Sequence, residues 1–172
     1  SNVQVFSPFA DVTEVAELLD NQRLNKQLLE GRQLLNINTS AKFKVAWVNH
    51  PACKMVRGYD AWFFTYLEAM KDECNARGIK TDKNWDAILE IRETAPAWTD
   101  FGTPPWWGDG RVHLSHQANL YRKVPLYYAE FKDSPNDKCC AKCLYYWPVD
   151  THSDYDTINV GELTLTSQLE GA

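Results

Sequence analysis

Along LDNQRLNKQLLEGRQLL, residues 19–35, the polar residues Arg23, Lys26, Gln27, Glu30 and Gln33 recur at helical spacing. They therefore share one stripe, with Leu24, Leu28 and Leu35 on the other side. The stripe isolates one carboxylate among cations and amides. Glu30 has Lys26 four residues before it, Gln27 three before it and Gln33 three after it, and Arg23 lies two turns back. Such neighbours favour the ionised carboxylate, the state suited to stabilising a developing cation or accepting a proton. A solvated helix face with one Lys–Glu pair has the same pattern, and periodicity does not separate the two.

Three other stretches carry chemistry-bearing side chains. HLSHQANLYRK places His113, Ser115, His116, Asn119, Arg122 and Lys123 within eleven residues, all of them types that contact phosphate oxygens. His113 and His116 could also ligate a metal, but no acidic third ligand is near, so no metal is assigned. WVNHPACKMVRGYDAWFF offers His50, Lys54 and Arg57 ahead of an aromatic segment, either lining a cleft or as structural hydrogen-bonding groups. KCCAKC holds Cys139, Cys140 and Cys143, a single C-x-x-C pair where a zinc site commonly needs two.

These residues need elements to hold them. Helical periodicity runs from Asp11 to about Asn36, with a break near Asp20, and residues 37–58 read as irregular. Trp62, Tyr66, Met70 and Cys74 predict a helix over 59–77, central to the core and stopped by Gly78. A further helix is expected over 82–93 with Thr81 as its N-cap, ending before Pro96. APAWTDFGTPPWWGDGR reads as a loop rich in Pro, Gly and Trp. Residues 113–132 read as a helix interrupted at Pro125, or as two helices with Pro125 in the first turn of the second. Without a repeat or sustained strand alternation, the expected class is mainly α: a compact single-domain helical fold with long irregular loops.

The chain has 172 residues, a length that suits one globular unit. Its net charge of −5 argues against a generally adhesive nucleic-acid binder. The charge is segregated, however. Residues 21–59 carry seven cations against Glu30 alone, and residues 111–123 add Arg111, Arg122 and Lys123 with no acid. The segment 150–172 carries five acids and no Lys or Arg. A polyanion thus has a local landing site if the basic stretches meet. Five cysteines, an odd number, fit reduced thiols. The opening SNVQVFSPFA lacks a basic stretch followed by an apolar one, and no apolar run is long enough for a bilayer, so a cytoplasmic, non-membrane setting is expected.

Taken in order, LDNQRLNKQLLEGRQLL, WVNHPACKMVRGYDAW, YLEAMKDECNARGI, WWGDGRVHLSHQANLYRKVPLYYAEF and YYWPV resemble the phage endonuclease V family, the pyrimidine-dimer DNA glycosylases, especially its longer bacterial and viral relatives. The blocks cover about residues 4–149, which sets the expected domain at 1–149 and leaves 150–172 as an acidic tail. The resemblance implies a helical domain that bends double-stranded DNA, extrudes a nucleotide and cleaves a glycosidic bond without a cofactor. It places the family's catalytic glutamate on Glu30. It also implies an amine nucleophile at the chain start, here Ser1 if that is the natural start, with Lys26 as a substitute. The short phage enzyme carries arginines where this chain has Leu29 and Gln33. Phosphate contacts are therefore expected from Arg23, Lys26, Arg122 and Lys123, with Gln27, Gln33, His50, Lys54, Arg57, His113, Ser115, His116 and Asn119 also assigned to DNA, and Trp106 and Trp107 to base stacking.

The expected function is excision of a damaged or modified pyrimidine base, with or without an AP-lyase step, by a monomer. The rivals are a non-catalytic DNA-binding protein on the same fold, a base-modifying transferase acting on DNA, and an acidic protein-interaction module.

Overall fold

The computed structural model describes residues 3–40, 50–134, 145–148 and 157–159. They fall into two compact units. The first comprises Ser1–Val5 and Asp11–Pro104, the second Phe6–Ala10 and Pro105–Ala172. The expected boundary after residue 149 lies outside the described residues, as do Cys139, Cys140 and Cys143.

The first unit is helical. Helix α1 (Val12–Leu18) starts at Asp11, whose side chain accepts the Glu14 N–H at 2.9 Å. The break expected near Asp20 is present: Leu19 is extended, and Asp20 caps the next helix, α2 (Asn21–Asn38), by accepting the Arg23 N–H at 3.3 Å. The last carbonyls of α1 are taken by one side chain from elsewhere. Arg77 donates to the carbonyls of Leu19, Ala16 and Glu17 and to Asn21 Oδ1, at 2.7, 3.2, 3.0 and 2.8 Å.

Helix α4 (Asp60–Ala76) packs against α2 and buries Phe63, Tyr66, Leu67, Met70 and Cys74. Gly31 permits this packing, since a Cβ there would run into the side chain of Leu67. Gly78, at φ 79°, follows the helix as the sequence predicts. Among the described residues of the segment 37–58, part is helical where an irregular chain is expected. His50 and Pro51 initiate a short helix, α3 (Pro51–Val56), with His50 Nδ1 accepting the Ala52 N–H at 3.0 Å. Helix α5 (Asp82–Thr94) occupies the expected span, but Thr81 makes no side-chain cap. Its hydroxyl donates to Asn75 Oδ1 instead. The loop after α5 is tied down by Asp60, which accepts both the N–H and the hydroxyl of Thr99, at 3.0 and 2.8 Å.

In the second unit, helix α6 (Gly110–Lys123) begins three residues earlier than the sequence suggests, because Asp109 caps it through the Arg111 N–H. It ends before Pro125 and no second α-helix follows among the described residues. The proline disfavours helical geometry at Val124 (φ −140°, ψ 73°), and the chain continues through turns into a 3-10 turn, Ala129–Phe131. Phe9 packs edge-on against Phe131, with ring centroids 5.8 Å apart, and Trp106 and Tyr128 are fully buried. Strands β1 (Tyr146–Pro148) and β2 (Thr157–Asn159) pair antiparallel, with Trp147 opposite Ile158. The architecture is mainly helical, as the periodicity predicts.

Candidate active site

Glu30 sits on the buried side of α2, with its side chain only 9% exposed. Its oxygens face different partners. Oε1 accepts the main-chain N–H of Gln4 at 3.1 Å, and Oε2 lies 3.6 Å from Lys26 Nζ, on a side chain that is 40% exposed. One turn earlier Gln27 reaches the same backbone residue, its Nε2 donating to the Gln4 carbonyl at 2.8 Å. Spacing of three residues puts Gln27 and Glu30 on one face. Together they hold both main-chain polar groups of Gln4, which no helix or sheet satisfies. Behind Gln27, the Tyr66 hydroxyl donates to its Oε1 at 2.8 Å. The Gln4 side chain completes the cluster by accepting the Val5 N–H at 2.9 Å.

The other residues of the stripe divide by burial. Gln27, expected to touch DNA, is fully buried, and its amide is engaged with Gln4 and Tyr66. Arg23 is drawn back to Asp20 at 3.4 Å. Gln33 is half-buried and Leu29 is exposed. Arg57 donates to Asn38 Oδ1 at 3.2 Å, while Asn38 Nδ2 holds the Cys53 carbonyl. His50 is occupied as the cap of α3, and Lys54 is half-buried in that helix.

In the second unit the histidines have internal work rather than an outward role. Ser7 donates its N–H to His116 Nδ1 at 3.1 Å, and His113 Nδ1 lies 2.7 Å from the Ser7 carbonyl. Because a carbonyl only accepts, His113 carries its proton on Nδ1, which leaves Nε2 to accept the Gly108 N–H at 2.9 Å. Both rings are thus fixed in the neutral form. Burial pushes both pKa values below the ordinary histidine value, and His116, fully enclosed and facing His113 and Lys123, is pushed well below it. Ser115 donates to the Val112 carbonyl and Asn119 to that of Ser115. Buried and turned inward, His113, Ser115, His116 and Asn119 are not surface phosphate contacts. Arg122 and Lys123 are exposed. Trp106 has no free face for a base, since it is fully buried and met edge-on by Trp107 at 5.7 Å. Trp107 is half-buried and also packs edge-on against His113.

Sequence reasoning missed Gln4, Ser7 and Tyr66. Two side chains three apart on a helix grip one backbone residue at Gln4, and the same pattern recurs at Ser7. The signal was half visible, as polar pairs at i and i+3 on otherwise apolar faces. Their target is a peptide group, which the sequence does not mark. Ser1 lies outside the described residues, and among those described no cluster of His, Cys, Asp and Glu could hold a metal ion and no helix is long and apolar enough to cross a membrane.

No curated protein and no solved structure matches the chain. A family model described as pyrimidine dimer DNA glycosylase matches residues 3–87, the stretch that holds Gln4, Lys26, Gln27, Glu30 and Tyr66. At this coarse level the match supports a DNA glycosylase, and such a family implies DNA as the partner. Over that stretch, just under half of the chain, the protein is similar to the pyrimidine dimer DNA glycosylase family.

Proposed function

We propose that the protein excises a damaged or modified pyrimidine base from double-stranded DNA, with Glu30 stabilising the sugar as the glycosidic bond breaks. The observation that carries this reading is the Glu30 carboxylate itself, enclosed, anchored through one oxygen to Gln4 and paired through the other with Lys26. When the bond between base and sugar breaks, its electron pair leaves with the base and positive charge develops on the sugar. A fixed carboxylate in a site of low dielectric stabilises that charge far better than a solvated one. Arg23, Lys26, Gln33, His50, Lys54, Arg57, Arg122 and Lys123 are the exposed or half-buried candidates for the DNA backbone, and Trp107 for stacking.

An AP-lyase step needs an amine. In its free-base form the amine forms a bond to the anomeric carbon as the base leaves with the glycosidic electron pair, and it loses a proton; the ring oxygen then leaves that carbon and takes up a proton, and a protonated imine results. Loss of a proton from the adjacent carbon then expels the 3′ phosphate. Lys26 Nζ, 3.6 Å from Glu30 Oε2, is one candidate, and the amine of Ser1, if that is the natural start, the other.

Base release and strand nicking on dimer-containing and otherwise modified duplexes test the reading, with borohydride added to trap the imine. Peptide mapping of the trapped adduct separates Lys26 from the chain start. Wild-type protein is expected to release base, and Glu30→Gln to bind the same duplex without releasing it. Salt-dependent binding with no base release from any duplex marks a non-catalytic DNA-binding protein instead.

A further inference from the structure

We infer that Tyr66 is a positioning residue for the Glu30 carboxylate, acting through Gln27 and the backbone of Gln4. The inference rests on the reading of Glu30 as the carboxylate that meets the sugar. Three buried hydrogen bonds link the two residues in series: Tyr66 hydroxyl to Gln27 Oε1 at 2.8 Å, Gln27 Nε2 to the Gln4 carbonyl at 2.8 Å, and Gln4 N–H to Glu30 Oε1 at 3.1 Å.

The Gln4 carbonyl, which only accepts, decides which way the Gln27 amide points, and the Tyr66 hydroxyl holds the amide oxygen that this orientation turns toward it. With its oxygen receiving the Tyr66 proton, the amide presents N–H groups to the Gln4 carbonyl. Turned over, it would set two acceptor oxygens against each other, in a place too buried for water to compensate. Gln27 is fully buried, and so is Tyr66, whose ring lies against Trp62 and Phe63 with both centroid separations at 5.6 Å. The hydroxyl therefore has a location set by α4, the central helix, and not by its own rotational preference. From there the chain of bonds fixes Gln4, and Gln4 fixes Oε1 of Glu30.

The relay also divides the labour of the carboxylate. Oε1 is held by the backbone, so the Oε2 side, toward the exposed Lys26, is the one that faces an incoming sugar. A carboxylate free to turn would spend part of its time with the wrong oxygen forward. Small displacements of a positioned group weigh heavily on rate.

Tyr66→Phe removes one oxygen and keeps the ring. Its Gln4 amide is expected to exchange hydrogen about tenfold faster than in wild type, the scale of one lost buried hydrogen bond. Single-turnover base release from the duplex that wild type processes is expected to slow by about the same factor, with duplex Kd within about twofold. Gln27→Met breaks the relay at its second link and guards against a folding defect peculiar to position 66. The double variant should be no slower than the slower single one, because both cut one chain.

Unchanged Gln4 exchange in Tyr66→Phe would overturn the relay. Faster exchange with an unchanged rate, or losses that add in the double variant, would overturn the positioning role. Full base release by Glu30→Gln would overturn the reading of Glu30 and the positioning role with it. That failure is recognisable because Gln4 exchange would still respond to Tyr66→Phe.

Discussion

Gln4 donates its main-chain N–H to Oε1 of Glu30 over 3.1 Å, so one oxygen of the carboxylate is already committed to the backbone. Glu30→Gln and Glu30→Asp should therefore fail for different reasons. In Glu30→Gln the new amide oxygen can still accept the Gln4 N–H, so that variant keeps its fold and loses the charge. Glu30→Asp keeps the charge, but its shorter carboxylate falls short of Gln4 by one methylene. Both are expected to lose about 10²–10³-fold in single-turnover base release. Gln4 amide exchange should rise in Glu30→Asp alone.

Gly31 lies next to Glu30 and against Leu67, where a Cβ would come within 2.7 Å of Leu67 Cδ1. Gly31→Ala should destabilise the fold by about 1–3 kcal/mol through overpacking. A melting midpoint lowered by about 2–4 °C per kcal/mol is the expected readout. Combining it with Leu67→Ala should cost less than the two losses added, since the smaller side chain vacates the space.

The neutral pairing of His113 and His116 with Ser7 gives stability a defined dependence on pH. Both folded-state pKa values are depressed by burial, with Asp109 partly opposing the shift at His113 and Lys123 adding to it at His116. The unfolded chain takes up these protons near the ordinary value of about 6.5, and the folded protein does not. The contribution is thus fully present above about pH 6.5 and is lost as pH falls toward the folded values, by about 1.4 kcal/mol per pH unit for each excess proton. Melting midpoints measured from pH 7.5 to 5 should fall on the acid side. His116→Gln should show a shallower fall.

Cys53 and Cys74 are buried, and burial pushes both thiols up to about 11. Since the thiolate is the reactive form, neither should react with a thiol reagent at neutral pH in the folded protein. Mass mapping should find both labelled once denaturant is added. Labelling of Cys53 in native buffer would mean that α3 opens readily.

The helices were legible wherever capping chemistry and apolar periodicity agreed. Asp20 announced the break between α1 and α2, and Gly78 the end of α4. Helix α3 was hidden because its six residues are too few to show a period, although His50 and Pro51 are a recognisable start. Glu30 stood out by type and neighbours. The opposite error occurred in α6, where His113, Ser115, His116 and Asn119 looked like a phosphate-binding face and turned out to be buried. Side-chain type says that a group needs a hydrogen-bond partner. It does not say whether that partner is a ligand or the protein's own backbone.

Because Glu30 and Gln27 recognise the main chain of Gln4 rather than its side chain, a replacement that fits the same enclosed space should keep both bonds, losing only the one that the Val5 N–H donates to the Gln4 side chain. Proline is the exception. It would silence the N–H that holds Glu30 while leaving the carbonyl for Gln27. Ser7, whose N–H is held by His116, is fully buried, so only small residues fit there, and proline is forbidden for the same reason. Among replacements small enough to fit, proline alone would reveal the main-chain role of both positions.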